Sequence, residues 1–302
     1  MRTGLRWATG LLYDRPYILL TLTSLFWGGN IVLARYIAGH VPPVAVSYIR
    51  WMIAFLILIP FAWRHVRRDF AAMRASLLVM AALALSGTAA PNTMAFYGLQ
   101  YTQAINALLI QSTGPLLIGF WTLLLFGERL SLGQTAGILI SLVGVIIIVC
   151  RGNPEALRSV AFNSGDLWVI GSLLVFGFYS ALARKRPSIH PLSFLVFNIG
   201  LGTIMLTPLY AWEVSSGHTL VWDLKTFFAL AYVSVFPSLL GYLFFNRGVE
   251  LIGPNRAAPF LHLTPFFGSA LAIALLGERL EGFHLIGYAL ILAGITVATM
   301  RR

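Results

Sequence analysis

One stretch of this sequence occurs twice, 150 residues apart. Pro115 leads into an apolar run that ends in Gly-Glu-Arg-Leu at 127–130, and Pro265 leads into a run that ends in the same four residues at 277–280. Three pairs of glycines share the offset: Gly98 and Gly248, Gly137 and Gly287, and Gly144 and Gly294. A constant offset of about half the chain indicates an internal duplication.

The duplicated units are too apolar for a soluble protein. Of 302 residues, 58% are hydrophobic and 10% are charged, whereas soluble domains carry roughly 25% charged residues. A polytopic membrane protein accounts for this composition. The net charge of +11 then belongs in cytoplasmic loops and does not indicate nucleic acid binding. The single cysteine, Cys150, excludes an internal disulfide and a zinc site built on cysteines.

Apolar segments long enough to cross a bilayer, about 20 residues each, recur along the whole chain. We predict an all-α membrane protein with ten transmembrane helices and no soluble domain. The basic N-terminus precedes the first apolar segment without a small-residue cleavage pattern, so this helix is predicted to be retained. The predicted spans are 16–37, 43–63, 75–98, 103–126, 132–150, 165–183, 191–212, 226–246, 254–276 and 282–300.

Five helices per copy make the two repeats, 1–150 and 151–302, inverted relative to each other. If both termini are cytoplasmic, 15 of the 21 Lys and Arg residues lie on the inner side, which satisfies the positive-inside rule. The exceptions are Arg50 within a helix and five outer residues: Arg35, Arg151, Arg158, Lys225 and Arg279. Inverted repeats are typical of secondary transporters, whose substrate site lies near the midplane at the repeat interface.

The duplicated links carry charge according to this orientation. The first repeat has a basic link at 64–74, and its counterpart near 213–225 keeps only Lys225. Conversely, the segment 184–186 is Arg-Lys-Arg, whereas its counterpart after the first helix has only Arg35. Each repeat is therefore basic where its own orientation places it in the cytoplasm.

Prolines inside the predicted helices are candidates for hinges and for the edge of a cavity. Pro115 and Pro265 are predicted near the middle of their helices, where a proline frees the carbonyl four residues earlier, here that of Gln111 or Leu261. A freed carbonyl in hydrocarbon must face protein or a wet cavity. Polar residues precede both prolines: Gln111, Ser112 and Thr113 in one copy, His262 and Thr264 in the other. The alternative is a packing kink whose hydroxyls bond their own backbone.

Two further prolines, Pro91 before Asn92 and Pro237 before Ser238, lie in the third and eighth predicted helices. Their positions do not match at an offset of 150. We include both among the hinge candidates and Asn92 among the residues of the substrate path.

Ionisable groups within the membrane are functional candidates by default. All ten acidic residues are predicted in links or at helix ends, which argues against tight coupling to protons or sodium. Arg50 and His262 are predicted inside helices. Arg50 could hold a substrate carboxylate or a backbone carbonyl. His262 could relay protons, and the alternative is a neutral, hydrogen-bonded ring.

Two other patterns have structural interpretations. The Glu-Arg pairs at 128–129 and 278–279 are interpreted as interfacial anchors. A stripe of small residues on the fifth predicted helix could join two chains or pack within one chain. The stripe consists of Gly133, Gly137, Ser141 and Gly144.

The doubled proline helix, the Gly-Glu-Arg-Leu link and the glycine-containing last helix of each half together resemble the EamA-type members of the drug/metabolite transporter superfamily. The Phe-Trp-Gly-Gly-Asn segment at 26–30 resembles their first helix. The resemblance covers nearly the whole chain and favours the bacterial branch that exports amino acids, aromatic ones among them. It implies a basket of ten helices around a central cavity, with the fifth and tenth outside.

The resemblance also implies which residues lie in or beside the substrate path: Trp27, Asn30, Gln111, Pro115, Tyr179, His262 and Pro265. The copies differ where Gln111, Ser112 and Thr113 face Leu261, His262 and Leu263, so symmetric substrate contacts are not expected.

We therefore expect a monomeric or weakly dimeric exporter in the bacterial inner membrane. It would carry amino acids or similar small metabolites by alternating access and facilitated diffusion. No cofactor, metal or nucleic acid partner is expected. Other metabolites or drugs remain alternative substrates, and a membrane-embedded enzyme or a channel is an alternative class, although the six histidines are too scattered for an active site.

Overall fold

A computed structural model describes residues 13–37, 40–102, 107, 110–158, 163–276 and 281–300, and in this part every regular element is helical. The repeated link at 277–280 and most of the predicted start of the fourth helix lie outside the described residues. The main helices are α1 (Pro16–Ile37), α2 (Pro43–Ala75), α3 (Leu77–Gly98), α4 (Gly114–Phe126), α5 (Leu132–Val149), α6 (Ser164–Leu182), α7 (Pro191–Ser215), α8 (Leu224–Ile252), α9 (254–276) and α10 (Gly282–Thr299).

Seven of these described helices are long and apolar enough to cross a membrane: α2, α3, α5, α6, α7, α8 and α10. Helix α4 is apolar but has 13 residues. The predicted all-helical membrane architecture is thus confirmed in the described part of the chain. The predicted total of ten spans goes beyond what these lengths establish.

Helix α2 is longer than predicted. It continues from Pro43 to Ala75 over 33 residues, so the basic segment 64–74 is helical and not a link. At 1.5 Å per residue the helix is about 50 Å long, well beyond a hydrocarbon core of about 30 Å. The prediction ended the span where charge began. Nothing in 64–74 breaks a helix, because the segment is rich in Arg and Ala and contains no Gly or Pro.

Helices α3 and α8 each contain a π-helical segment, Leu85–Ala89 and Ser234–Leu240. Moved by 150 residues, the first segment falls within the second. Pro91 and Pro237 do not match at this offset, but the π-helical segments beside them do. Such bulges are rare and often occur at functional sites.

The prediction that Pro115 and Pro265 lie in the middle of their helices is wrong. Pro115 is the second residue of α4, after a turn at 112–113. Pro265 is the third residue of the α-helical part of α9, Leu263–Leu276, which follows a 3₁₀ segment, Ala258–His262. Proline is favourable in the first turn, where its missing N–H has no partner to lose.

Helix packing is the same when the two halves of the chain are exchanged. Helix α1 packs on α8 and α9 as α6 packs on α3 and α4, while α2 packs on α7 and α5 on α10. The small-residue stripe of α5 faces α10, because a Cβ at Gly144 would lie 2.7 Å from the carbonyl oxygen of Gly287 and one at Gly137 2.4 Å from that of Gly294. The stripe is therefore used for packing within the chain.

Carboxylates cap two helices from a neighbouring helix. Near the end of α7, Glu213 is 5% exposed and accepts hydrogen bonds from the backbone N–H of Val44 (3.0 Å) and Ala45 (2.6 Å) at the start of α2. Near the end of α2, Asp69 accepts from the backbone N–H of His190 at 2.9 Å, just before α7. Helix N-termini carry partial positive charge, so both caps are favourable. The α2–α7 pair is thus tied at both ends.

Candidate functional site

Three backbone carbonyls at or near Pro91 and Pro237 accept hydrogen bonds from side chains in the other half of the sequence. Pro91 frees the carbonyl of Gly87, which accepts from the Tyr242 hydroxyl at 2.7 Å. The carbonyl of Pro91 itself accepts from Ser172 Oγ at 2.7 Å. In the other copy the carbonyl of Pro237 accepts from Trp27 Nε1 at 3.1 Å. The backbone defects of α3 and α8 thus become contacts between the halves.

A similar contact between the halves lies just before α4. The carbonyl of Ser112, just before that helix, is 2.8 Å from His262 Nε2. A carbonyl only accepts, so Nε2 carries the hydrogen and the neutral ring leaves Nδ1 without one. Nδ1 is buried and has no partner within the described residues. This geometry matches the neutral, hydrogen-bonded interpretation of His262.

Two contacts join residues that are 150 apart: Ser112 with His262, described above, and Asn92 with Tyr242, where Asn92 Nδ2 donates to the Tyr242 hydroxyl at 3.2 Å. Equivalent positions can touch only where they approach a common symmetry axis. Both pairs therefore lie close to the axis that would exchange the two halves, where inverted-repeat transporters place their substrate.

Arg50 is at this centre and is 1% exposed. Its Nε donates to Ser238 Oγ at 2.8 Å and its Nη1 to Asn92 Oδ1 at 3.4 Å. The guanidinium carbon is 4.9 Å from the ring centroid of Trp51. Each hydrogen-bond acceptor is neutral, and no carboxylate in the described part of the chain forms an ion pair with Arg50. A buried cation without an anion is costly, which makes Arg50 a candidate anion-binding group.

Aromatic rings surround this centre. Trp27 lies 5.6 Å from Phe176, 5.7 Å from Tyr242 and 5.3 Å from Phe245, measured between ring centroids. Tyr242 also lies 5.2 Å from Trp51 and 6.1 Å from Tyr179. Rings in such tilted and edge-on arrangements attract one another and form an apolar wall.

A polar stripe along α8 connects the centre to a cavity. Four side chains at intervals of four residues form it: Ser238, Tyr242, Asn246 and Glu250. Ser238 bonds Arg50, Tyr242 bonds Asn92, and Asn246 Oδ1 accepts from the Tyr179 hydroxyl at 2.6 Å. Residues four apart lie on one helix face. The stripe therefore runs continuously from the buried arginine towards the end of α8.

The cavity has a volume of about 950 Å³ and lies where α4, α6 and α8 end. Its lining includes Asn246, Asn255, two carboxylates and four arginines. The carboxylates are paired: Glu128 with Arg184 at 2.6 Å, and Glu250 with Arg186 at 2.6 Å and Arg247 at 3.1 Å. The other two lining arginines, Arg129 and Arg256, form no ion pair in the described part of the chain. The cavity is therefore positively charged.

The structure brings together Trp27, Arg50, Asn92 and Tyr179 from the predicted path, with Pro91 and Pro237 beside them. Asn30 and Gln111 are half-buried, and neither forms a hydrogen bond with this cluster in the described part of the chain. Asn30 Oδ1 has no partner among these residues. His262 makes its own contact at Ser112. The sequence reasoning missed Tyr242, Ser238 and Asn246. Their spacing of four within an apolar segment was the signal that would have found them.

No three His, Cys, Asp or Glu side chains come together as a metal site in the part of the chain that is described. The chemistry available at the centre is binding: one cation, several amide and hydroxyl groups, and aromatic faces.

Comparison with known proteins decides the family. The model of the EamA-like transporter family matches residues 15–150 and, a second time, residues 163–300. The chain belongs to the EamA-like transporter family. The resemblance drawn from the repeated proline helices is confirmed, and members of this family are transporters and not enzymes.

Relatives align with this chain over nearly its full length. The uncharacterized transporter YyaM of Bacillus subtilis is 25% identical over 287 residues, covering 94% of this chain and 93% of YyaM. The probable amino-acid metabolite efflux pump of Escherichia coli is 25% identical, covering 93% of both chains. A protein crystal structure of 21% identity superposes with a TM-score of 0.74 over 93% of this chain and 95% of its own, which shows a shared fold.

Proposed function

We propose that this EamA-like protein exports amino acids with aromatic or other apolar side chains, or similar small metabolites, by alternating access. One observation carries the proposal. A positively charged cavity leads along the polar stripe of α8 to Arg50, a buried cation without a carboxylate partner among the described residues. A solute that carries a carboxylate would supply the missing anion.

The proposed architecture is ten spans in two inverted repeats, 1–150 and 151–302, with both termini in the cytoplasm. The exchange-symmetric packing and the contacts between residues 150 apart support it. The 15-to-5 distribution of Lys and Arg supports the orientation. On this orientation the cavity faces the cytoplasm, so the structure has the shape of a carrier that is open inward. Because the stripe of α5 packs against α10, we favour a monomer.

The solute would be held at both ends. Arg50 and Asn92 would bind its carboxylate, and the aromatic wall around Trp27 and Tyr242 would contact an apolar side chain. Two relatives, from Escherichia coli and Salmonella typhimurium, are named probable amino-acid metabolite efflux pumps, which supports this substrate class. Other carboxylate-bearing metabolites or drugs are the alternative within the same mechanism.

Facilitated diffusion fits the central chemistry. The groups nearest Arg50 are neutral amides and hydroxyls, and the imidazole of His262 is engaged by the Ser112 carbonyl. A proton-coupled carrier commonly uses a membrane carboxylate. None of the groups that contact Arg50 is one.

The test is counterflow of labelled amino acids into liposomes that contain the purified protein. We expect saturable flux that is accelerated by unlabelled amino acid on the opposite side. Replacing Arg50 by Lys keeps the charge but loses the planar fork, and should reduce flux at least tenfold. Concentrative uptake that requires a pH gradient would rule out facilitated diffusion, and normal flux in the Arg50→Lys protein would rule out its role in binding.

The hinge proposal has a separate test. Pro115→Ala and Pro265→Ala should lower the turnover while the proteins still insert into the membrane, since each proline fixes the start of a helical segment beside the centre. Pro208→Ala, at an exposed position inside α7, is the matched control and should leave the turnover unchanged. Wild-type turnover in both variants would remove the hinge role.

A further inference from the structure

Asn246 lies between the cavity and the two buried tyrosines, Tyr179 and Tyr242. Helix α8 ends at Ile252, so Asn246 lies about 9 Å from that end along the helix axis. It is 5% exposed and belongs to the cavity lining. One helical turn deeper on the same face is Tyr242. Along this face of α8, Asn246 therefore lies between the cavity and the partners of Arg50.

Only one of the two polar atoms of the Asn246 side-chain amide has a hydrogen-bond partner. Its oxygen accepts from the Tyr179 hydroxyl at 2.6 Å, while its Nδ2 has no acceptor within the described residues. A buried amide N–H without an acceptor is unfavourable, and an incoming oxygen atom would relieve it. Asn255, also in the lining, has an unpaired Oδ1.

The equivalent positions of the first repeat lack the hydrogen-bonded pair of Asn246 and Tyr179. The position equivalent to Asn246 is Phe96, and the position equivalent to Tyr179 is Gly29. The scaffold is symmetric, but the polar pair belongs only to the end with the arginine-lined cavity. This asymmetry is what an entry site on one side of the membrane requires.

We propose that Asn246 is the residue that receives the solute carboxylate, and that the cavity thereby selects anionic and zwitterionic solutes over cationic amines. The inference rests on the proposed function and adds a charge rule to it. The carboxylate would be drawn in by Arg129 and Arg256, accept a hydrogen bond from Asn246 Nδ2, and then exchange this partner for Arg50. A cationic amine finds no acceptor on Nδ2 and meets a net positive lining.

Three probes that share a phenol ring test the rule: L-tyrosine, a zwitterion; tyramine, which lacks the carboxylate; and 3-(4-hydroxyphenyl)propionate, which lacks the amine. Each is measured for flux in liposomes and for its effect on thermal stability in detergent. In the wild-type protein we expect tyrosine and the propionate to bind and move at least tenfold better than tyramine.

Asn246→Asp is the decisive variant. It is nearly isosteric and keeps an oxygen for the Tyr179 hydroxyl, but it replaces the N–H donor by a negative charge. The preference between propionate and tyramine should fall at least tenfold. If that protein is unstable, Arg129→Gln combined with Arg256→Gln tests the same charge rule in the cavity lining. This double variant should raise the KM for the propionate but not for tyramine. Arg158→Gln, which removes an exposed arginine paired with Glu155, is the matched control and should change neither.

The outcomes separate the two proposals. Flux of the probes without a charge preference, or an unchanged preference in Asn246→Asp, overturns the role of Asn246 and leaves amino acid export standing. No flux of any amino acid by a folded wild-type protein overturns the proposed function, and the charge rule with it.

Discussion

Removing one hydroxyl at the centre should have an effect on stability that depends on a proline in the other half of the chain. Tyr242 is 3% exposed, and its hydroxyl donates to the Gly87 carbonyl at 2.7 Å and accepts from Asn92 Nδ2 at 3.2 Å. Tyr242→Phe leaves both groups without this partner. An orphaned buried polar group costs about 1–3 kcal/mol, so we expect a loss of about 2–4 kcal/mol in the free energy of unfolding.

The dependence on Pro91 follows from the origin of the orphaned carbonyl. Gly87 needs the tyrosine because Pro91 has no N–H to donate. In a Pro91→Ala background the new N–H at position 91 can bond Gly87, so the same Tyr242→Phe change should cost only about 1–2 kcal/mol. The coupling between the two substitutions is then about 1–2 kcal/mol, although the residues are 151 positions apart.

The measurement is a double-mutant cycle of reversible unfolding in mixed detergent micelles, with circular dichroism as the signal. Tyr232→Phe is the control, because its hydroxyl makes a single long contact, 3.4 Å to the Phe26 carbonyl, and should cost no more than about 0.5 kcal/mol. Additive effects of Tyr242→Phe and Pro91→Ala, within about 0.5 kcal/mol, would refute the idea that Tyr242 compensates for the proline.

Three further predictions concern the scaffold and its pH dependence. Gly144→Ala should destabilise the protein by about 1–3 kcal/mol through overpacking against α10, whereas Gly133→Ala, where the nearest non-local atom is 3.6 Å away, should be nearly neutral in thermal melts. Glu213→Ala should cost about 1–2 kcal/mol by uncapping α2, while Glu155→Ala in the exposed pair with Arg158 should change stability by less than about 0.5 kcal/mol. The backbone N–H of Thr226 donates to Asp223 and lowers the pKa of its carboxyl below the ordinary 3.8. The stabilisation by this cap is therefore complete above pH 3.8 and is lost as the pH falls below that value. The difference in stability between wild type and Asp223→Asn should shrink between pH 5 and pH 3, and a constant difference would contradict the assignment.

Several features of this protein could be predicted because they are local or compositional. Apolar runs of about 20 residues require membrane helices, and this part of the prediction is confirmed. The repeated proline, the Gly-Glu-Arg-Leu link and the glycine pattern led to the EamA-like family, which the family match confirms. Substrate, orientation and the inverted arrangement stay predictions.

The wrong predictions arose where charged residues were taken to end a helix, or where the place of a proline in the sequence was taken to show its place in a helix. The segment 64–74 was predicted as a link, but a helix can continue into water as long as its residues favour it. Pro115 was predicted in mid-helix and instead starts α4. Pro91 and Pro237 were not predicted to be a strict repeat because their positions do not match at an offset of 150, yet both accompany π-helical segments that do match.

The sequence by itself determined where backbone carbonyls are freed, because the missing N–H of a proline is a covalent property of that residue. It could not determine which side chain bonds them. Only the tertiary structure brought Tyr242 to Gly87, whose carbonyl Pro91 frees, since such partners meet through the packing of whole helices and not through spacing along the chain. The same packing brought His262 to the Ser112 carbonyl. The same is true of the cavity. The arginines could be counted and assigned to one side of the membrane, but their meeting point beside Asn246 depends on how α4, α6 and α8 end in space.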